Sequence, residues 1–207
     1  MFFEAVPGNL KHNLESLGQR DFVRQFWLAG GTAVALQLGH RISRDLDFFS
    51  NASFDGQTLR DELVMLGDFE EERDAKDTIL GNLNGIHISF FLYRYKLLFP
   101  VKKLLGVSLA DLRDLVCMKV DAIQHRGRKR DFVDLWAIIN NGLALQEVML
   151  LFDKKFEGVR FNRTHILKSL SYFDDAEEDP MPEMLKPLSW DEVKSYFSRE
   201  AKKLAGS

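Results

Sequence analysis

Apolar positions change their period several times along the chain. Leu10, Leu14 and Leu17, spaced by four and three, predict an amphipathic helix over 9–21. Phe26-Trp27-Leu28-Ala29 is a short unbroken apolar run, the pattern of a buried strand, and Gly30-Gly31-Thr32 breaks it. A helix over 33–38 follows, with Gly39 as its stop. Asp45-Leu46-Asp47-Phe48-Phe49 alternates polar and apolar, the period of a strand, and 59–66 returns to helical spacing. Two further strands are expected at 78–83 and 86–92. Asn84-Gly85 between them predicts a hairpin, because a two-residue turn needs residues that tolerate positive φ.

Beyond Pro100 the pattern is helical throughout. Ser108 and Asp111 stand at capping-box spacing, with Asp in place of Glu, and predict a helix opening at Ser108. It runs through Leu112, Leu115, Val116, Val120 and Ile123 to Gly127. A second helix over 131–139 is stopped by Asn140-Asn141-Gly142, and others are expected at 145–156, 164–170 and 190–204. The acidic run 174–179, ended by Pro180, reads as a loop. The organisation is an α/β domain over 1–105 with a helical domain over 106–207 packed on it, an α+β fold.

Composition narrows the class. Of 207 residues, 45% are hydrophobic and 29% charged, which excludes a disordered chain, a collagen and a coiled-coil rod. One cysteine, Cys117, excludes an internal disulfide and a cysteine-based zinc site. Lying among Leu115, Val116, Met118 and Val120, it is expected to be a buried hydrophobe. A net charge of −3 does not suit a protein that coats nucleic acid by overall charge, so any such contact needs a local patch. Glu4 stands where a leader peptide would be basic, and no run approaches the roughly 18 apolar residues of a membrane span. A soluble protein of a reducing cytoplasm, with no membrane partner, is expected.

Two constellations carry candidate chemistry. Gly30 and Gly31, between a buried strand and a helix, let backbone approach a phosphate where free N–H groups and the helix dipole attract anions. Thr32 adds a hydroxyl or caps the helix, and a plain turn is the alternative, since the dinucleotide pattern Gly-x-Gly-x-x-Gly is absent. Asp45 and Asp47, two apart on a strand, share a face at roughly 6.5–7 Å. A cation between them explains the pairing best, and hard carboxylate oxygens suit Mg²⁺ (or Mn²⁺) that also holds substrate phosphates; a solvated edge strand is the alternative. Arg41, Ser43 and Arg44 precede the pair as phosphate ligands or counter-charges, Arg44 as the latter. In the second constellation, Arg126, Arg128, Lys129 and Arg130 form the densest positive cluster, with Lys119, Ile123 and Arg126 recurring at helical spacing before it. It reads as a phosphate or RNA site, or as a solvated helix end with an Arg130–Asp134 pair. His87 and His165, single among apolar residues, read as structural.

The segments 27–33 (Trp-Leu-Ala-Gly-Gly-Thr-Ala) and 40–49 (His-Arg-Ile-Ser-Arg-Asp-Leu-Asp-Phe-Phe) together resemble the nucleotidyltransferase-like toxins of the AbiEii/AbiGii type, within the DNA polymerase β nucleotidyltransferase superfamily. Residues 119–122, 126–135 and 172–177 are similar to the same family, so the resemblance spans nearly the whole chain, most specifically in the first block. It implies a mixed sheet with helices, then a helical bundle closing over a nucleotide. Gly30, Gly31 and Thr32 would hold the triphosphate, with Arg41, Ser43 and Arg130 as further nucleotide contacts, and Asp45 and Asp47 would hold Mg²⁺. Lys119 and Asp131 match the family's later polar motifs, with Asp134 close by, as catalytic residues. The implied activity is transfer of a nucleotidyl group from a nucleoside triphosphate to an RNA hydroxyl, transfer RNA among the candidates, or to a protein hydroxyl, with an antitoxin encoded nearby and abortive infection as the biology.

One position departs from the superfamily pattern. Ser89 stands where a third carboxylate is expected, and a hydroxyl neither accepts a proton nor binds a second metal as a carboxylate does. Three explanations stand: Asp131 or Asp134 replaces it, Asp131 being preferred as an ionised acid at a helix start; two acids suffice; or the chain is a degenerate nucleotide- or RNA-binding module acting through a partner.

Overall fold

The computed structural model describes residues 1–206, the side chain of Asp74 excepted. The chain opens with a 3₁₀ turn (Phe3–Ala5), α1 (Gly8–Gly18) and a second 3₁₀ turn (Asp21–Gln25). Then come β1 (Trp27–Leu28), α2 (Gly30–Leu38), β2 (Leu46–Ser50), α3 (Gly56–Leu66), β3 (Phe69–Ala75), β4 (Thr78–Leu83) and β5 (Ile86–Leu92). After them lie β6 (Lys102–Leu104), β7 (Val107–Leu109), α4 (Leu112–Arg126), α5 (Lys129–Ile139), α6 (Leu145–Lys155), α7 (Arg163–Ser169), α8 (Asp174–Glu177) and α9 (Trp190–Ala205). The strands form one mixed sheet in the order β3-β4-β5-β2-β1-β7-β6.

The alternation read in 45–49 sets the two faces of β2. Leu46 and Phe48 are fully buried on one side, where Phe48 stacks on Phe90 of β5 at 5.1 Å and Phe26 meets Phe90 edge-on at 5.0 Å. Asp47 and Phe49 point to the other side. β2 pairs in parallel with β5, and the register sets Asp47 directly opposite Ser89. The hairpin joining β4 and β5 forms at Asn84-Gly85, whose φ values are 52° and 79°.

Several boundaries differ from the sequence expectation. Ser108 does not cap a helix: it lies in β7, paired with Trp27 of β1, and Asp111 is the cap, accepting from the Arg113 N–H at 3.0 Å. The sheet therefore extends to Leu109, past the expected division at 105. α2 begins at Gly30, so the two glycines open the helix. The acidic run forms the short helix α8, with Ala176 buried beneath it. β3 escaped the pattern because Glu70, Glu71, Glu72 and Arg73 hide its period, a charge-laden edge strand that discourages pairing with other chains.

Both halves share one core, in which Leu28, Val34 and Leu36 join Leu115, Val116, Val120 and Phe132. α4 packs against α2, α5, α6 and α7, so its placement fixes the roof of the sheet's polar face. A fully buried ion pair helps hold it: Asp114 accepts from Lys155 Nζ of α6 at 2.7 Å and from the Leu98 and Phe99 N–H groups at 2.9–3.1 Å. Removing one partner leaves an uncompensated buried charge. Asp114→Ala is expected to lower stability by about 3–5 kcal/mol in urea unfolding, with Lys155 left unpaired.

Candidate active site

Between the polar face of β2 and β5 and the helix α4 lies a cavity of about 570 Å³. Gly30, Gly31, Ser43, Asp45, Asp47, Ser89, Lys119, Arg126 and Arg130 line its polar part. Gly30 has φ +64°, and a Cβ there would stand 2.2 Å from Asp47 Oδ2, so glycine is what lets the start of α2 lie against that carboxylate. A Cβ on Gly31 would meet Arg41 Nη2 at 2.2 Å. The Ala29 N–H donates to the Asp47 carbonyl at 2.9 Å, tying the helix start to β2.

The two acids have different surroundings. Asp47 accepts from Ser89 Oγ at 2.6 Å, as the strand register requires. Asp45 lies one residue before β2, beside the same cavity, and pairs with Arg130 at 3.3 Å across from α5. Thr32 turns away from the cavity. Its buried hydroxyl donates to the Asp45 carbonyl and lies 2.9 Å from Ser43 Oγ, so it braces the approach to β2 and is not placed to touch a triphosphate.

Behind the cavity wall lies a buried ionic cluster. Asp134 accepts from Arg41 Nε at 2.6 Å and Nη2 at 2.9 Å, from Lys119 Nζ at 2.6 Å, and is 2.8 Å from His40 Nε2. Asp131 accepts from Lys119 Nζ at 2.8 Å and from Arg126 Nε and Nη2 at 2.8 and 3.0 Å. Both aspartates are fully buried. Burial pushes each carboxyl upward, but Arg41 and Lys119 overcome this for Asp134 and hold it well below the usual carboxylate range. Lys119 and Arg126 do the same for Asp131. Burial opposes the Lys119 charge, yet the two aspartates raise its pKa above the ordinary lysine value. Three permanent cations against two carboxylates leave one positive charge in excess, presented to the cavity through Lys119 and Arg126.

This arrangement corrects several expectations. Asp131 and Asp134 do not reach the cavity, because both are engaged by cations behind its wall. Arg130 pairs with Asp45 and not with Asp134, and Arg44 pairs with Glu183 at 2.7 Å and not with Asp45. The basic cluster divides: Arg126 and Arg130, half-exposed, face the cavity, while Arg128 pairs with Asp179 at 2.8 Å and Lys129 donates to the Asp179 carbonyl at 2.6 Å. The run spans the break at Gly127: Arg126 ends α4, Arg128 and Lys129 at the start of α5 turn to Asp179, and Arg130 turns back to the cavity. Arg41 is spent mainly on Asp134, held there as residues 40–42 pair with 183–185. His165 is exposed, and His87 is a partly exposed member of the cavity wall. Cys117 is buried as expected, and burial pushes its thiol up to about 12.

The far part of the cavity escaped the sequence reading: Phe49, Leu80, Phe91, Tyr93, Leu115, Met118, Asp121, Ala122 and His125 complete it. The signal was present as the two-residue steps Asp47–Phe49 and Ser89–Phe91–Tyr93, which share one sheet face.

Among the described residues no group of three or more His, Cys, Asp or Glu is placed to hold a metal. Two carboxylates and a serine hydroxyl are hard oxygen donors, and Mg²⁺ typically takes one or two carboxylates plus substrate phosphates, so the donor set fits Mg²⁺ or Mn²⁺ and does not fit zinc.

A mixed sheet with one aspartate on a central strand and a second just before it, a glycine-opened helix beside them and a helical roof defines a nucleotidyltransferase fold. The sequence profile described as "Nucleotidyl transferase AbiEii toxin, Type IV TA system" matches residues 14–101 and 92–203, and the chain belongs to this family of nucleotidyltransferase toxins. An uncharacterised protein of Aquifex aeolicus (strain VF5) is 39% identical over 194 residues, covering 91% of this chain and 92% of that one. Among solved structures, the nucleotidyltransferase toxin MenT4 of Mycobacterium tuberculosis H37Rv superposes with TM-score 0.61 at 16% identity, over 94% of this chain and 82% of its own. JHP933 from Helicobacter pylori gives 0.58 at 15%, over 94% and 89%. These likenesses bear out the expected fold class and family. No helix among the described residues is long and apolar enough to cross a membrane.

The buried cluster makes a pH-dependent prediction. Asp134→Asn is expected to cost about 3–5 kcal/mol at pH 7, since Arg41 and Lys119 lose a buried counter-charge. The folded pKa of Asp134 is depressed, so its contribution is complete above the unfolded value of about 3.9 and is lost as pH falls through the folded value. Urea unfolding from pH 7 downward should therefore show the gap between parent and variant closing only below about pH 4.

Proposed function

We propose that the protein transfers a nucleotidyl group from a nucleoside triphosphate to a hydroxyl of an RNA acceptor. The observation that carries this reading is the convergence of Asp45, Asp47 and the opening of α2 on one cavity whose opposite wall is cationic. Backbone N–H groups at the start of α2 face the phosphates. Asp45 and Asp47 are the residues that would hold Mg²⁺ or Mn²⁺, which when bound offsets triphosphate charge. Lys119, Arg126 and Arg130 neutralise charge that develops as the acceptor oxygen bonds to the α-phosphorus and pyrophosphate departs. Asp131 acts through Lys119 and Arg126 by holding them on the wall, which replaces the expected role of a free acid there.

RNA is favoured over a protein acceptor because Arg126 and Arg130 leave half of their surface free beside the cavity in a chain of net charge −3. A cytoplasmic toxin restrained by an antitoxin, acting in abortive infection, is the setting proposed for this activity.

Ser89 supports a second reading. It sits opposite Asp47 on the neighbouring strand and spends its hydroxyl on that carboxylate, so the sheet side of the cavity carries Asp47 and, just before β2, Asp45, with a hydroxyl in place of a further acid. A nucleotide- or RNA-binding module acting through a partner is the outcome if transfer is absent.

Transfer of α-labelled nucleotide onto total RNA, with and without Mg²⁺, decides between them. The parent should label RNA only with Mg²⁺, and Asp131→Asn should reduce labelling on the order of 10²-fold while retaining nucleotide binding. No labelling by the parent with any nucleotide, but labelling on introducing Ser89→Asp, would establish the binding module. Independently, triphosphate at 100 times its dissociation constant should stabilise the protein by about 2.7 kcal/mol in the presence of Mg²⁺. Asp47→Ala should abolish that gain, and an equal gain in the variant would remove the metal role.

A further inference from the structure

Two surfaces away from the active-site cavity carry opposite charge. Residues 55–72 contain seven acids and one arginine, whereas 154–168 contain five cations and one acid. A chain of net charge −3 is therefore polarised, acidic around α3 and β3 and basic around α7 and the end of α6.

The acidic surface bears an apolar ridge. α3 buries Leu59 and Leu63 in the core, while Val64 and Met65 on its outer side are 61% and 70% exposed. Asp61 precedes them by three and four residues, so the three side chains share one side of the helix. Asp61 and Asp68 are exposed and form no ion pair among the described residues. The one cation beside the ridge, Arg20, is neutralised by Glu62.

The basic surface bears a groove of about 340 Å³ between α7 and α9. Leu167, Ala201 and Leu204 form its floor. Arg163, Lys168 and Lys202 rim it, exposed and without an ion pair among the described residues. Cations around an apolar floor suit an acidic helix with apolar anchors three and four residues on, laid into the groove. RNA would use the cations and leave the floor unused.

We infer that the occupant is a second copy of this chain: Val64 and Met65 of one molecule enter the α7–α9 groove of another, and Asp61 and Asp68 meet Arg163, Lys168 and Lys202. The exposed apolar pair gains cover, and each charged surface gains the counter-charge that its own chain carries elsewhere. The contact joins two different surfaces, so it is heterologous, ridge to groove. Neither surface shares a residue with the active-site cavity, so the inference stands apart from the nucleotidyl-transfer reading.

Sedimentation velocity of the parent over a concentration series tests it. In 0.01 M salt, where charges act over about 30 Å, the average mass should rise with concentration above that of one chain. In 1 M salt, with screening at about 3 Å, the rise should shrink. Val64→Ser with Met65→Ser should weaken association about 10-fold or more, and so should Lys168→Glu with Lys202→Glu. All four positions are on the surface or at the groove rim, so both double variants should keep the circular dichroism of the parent. Each double variant alone should stay monomeric, whereas their equimolar mixture should pair, because one keeps the groove and the other the ridge. A parent that is monomeric at every concentration overturns the inference, also where its groove retains RNA or an acidic polypeptide instead. Association of the Lys168→Glu, Lys202→Glu variant by itself would mean ridge-to-ridge contact and overturns it too, as does a mixture that stays monomeric.

Discussion

The site depends on charges that water never reaches. Asp131 and Asp134 are fully buried on α5, and they are tolerable there only because Lys119, Arg41 and Arg126 converge on them from α4 and from the segment before β2. A buried ion pair with a missing partner is far less stable than one that is complete, so the cluster sets the distance between the helical half and the sheet. It also explains the spacing Arg126 to Asp131 to Asp134 across a helix break at Gly127, which has φ +50°. The break turns α5 back so that its first turn meets the end of α4.

The same cluster shapes the chemistry. Its net positive charge is delivered to the cavity by Lys119 and Arg126, opposite the Asp45 and Asp47 carboxylates. One wall of the cavity is thus positively charged and the other negatively charged, with the glycine-opened start of α2 beside the carboxylates. Farther along the strands the lining becomes aromatic, and polarity falls from Asp47 and Ser89 to Phe49, Phe91 and Tyr93. A polar end leading to an apolar one is the division that the proposed nucleotide substrate itself shows.

Ser89 gains meaning from this arrangement. Its hydroxyl fixes one Asp47 oxygen at 2.6 Å, where a carboxylate in the same register would repel it in the absence of cations. The site thereby has fewer negative charges on the sheet than three strand acids would give. Lower repulsion at the carboxylate end and a permanently charged lysine behind it are two expressions of one electrostatic balance.

Much of this was legible in the order of residues. The strands at 78–83 and 86–92, the Asn84-Gly85 turn, the burial of Cys117, the helices of the second half and the pairing of Asp45 with Asp47 beside the glycines follow from local periodicity, turn chemistry and charge, which are properties of neighbours in sequence. Tertiary structure decided what depends on partners far away. It sent Arg128 and Lys129 to Asp179, Arg44 to Glu183 and Arg41 to Asp134, and it placed Ser108 in a sheet strand against Trp27. A charged side chain carries no local mark of its eventual counter-ion, because Coulomb attraction acts through space and sequence separations of 50 to 139 residues leave no periodic trace. For the same reason a run of four basic residues could be read as one patch, although helical rotation and two distant carboxylates divide it in the folded chain.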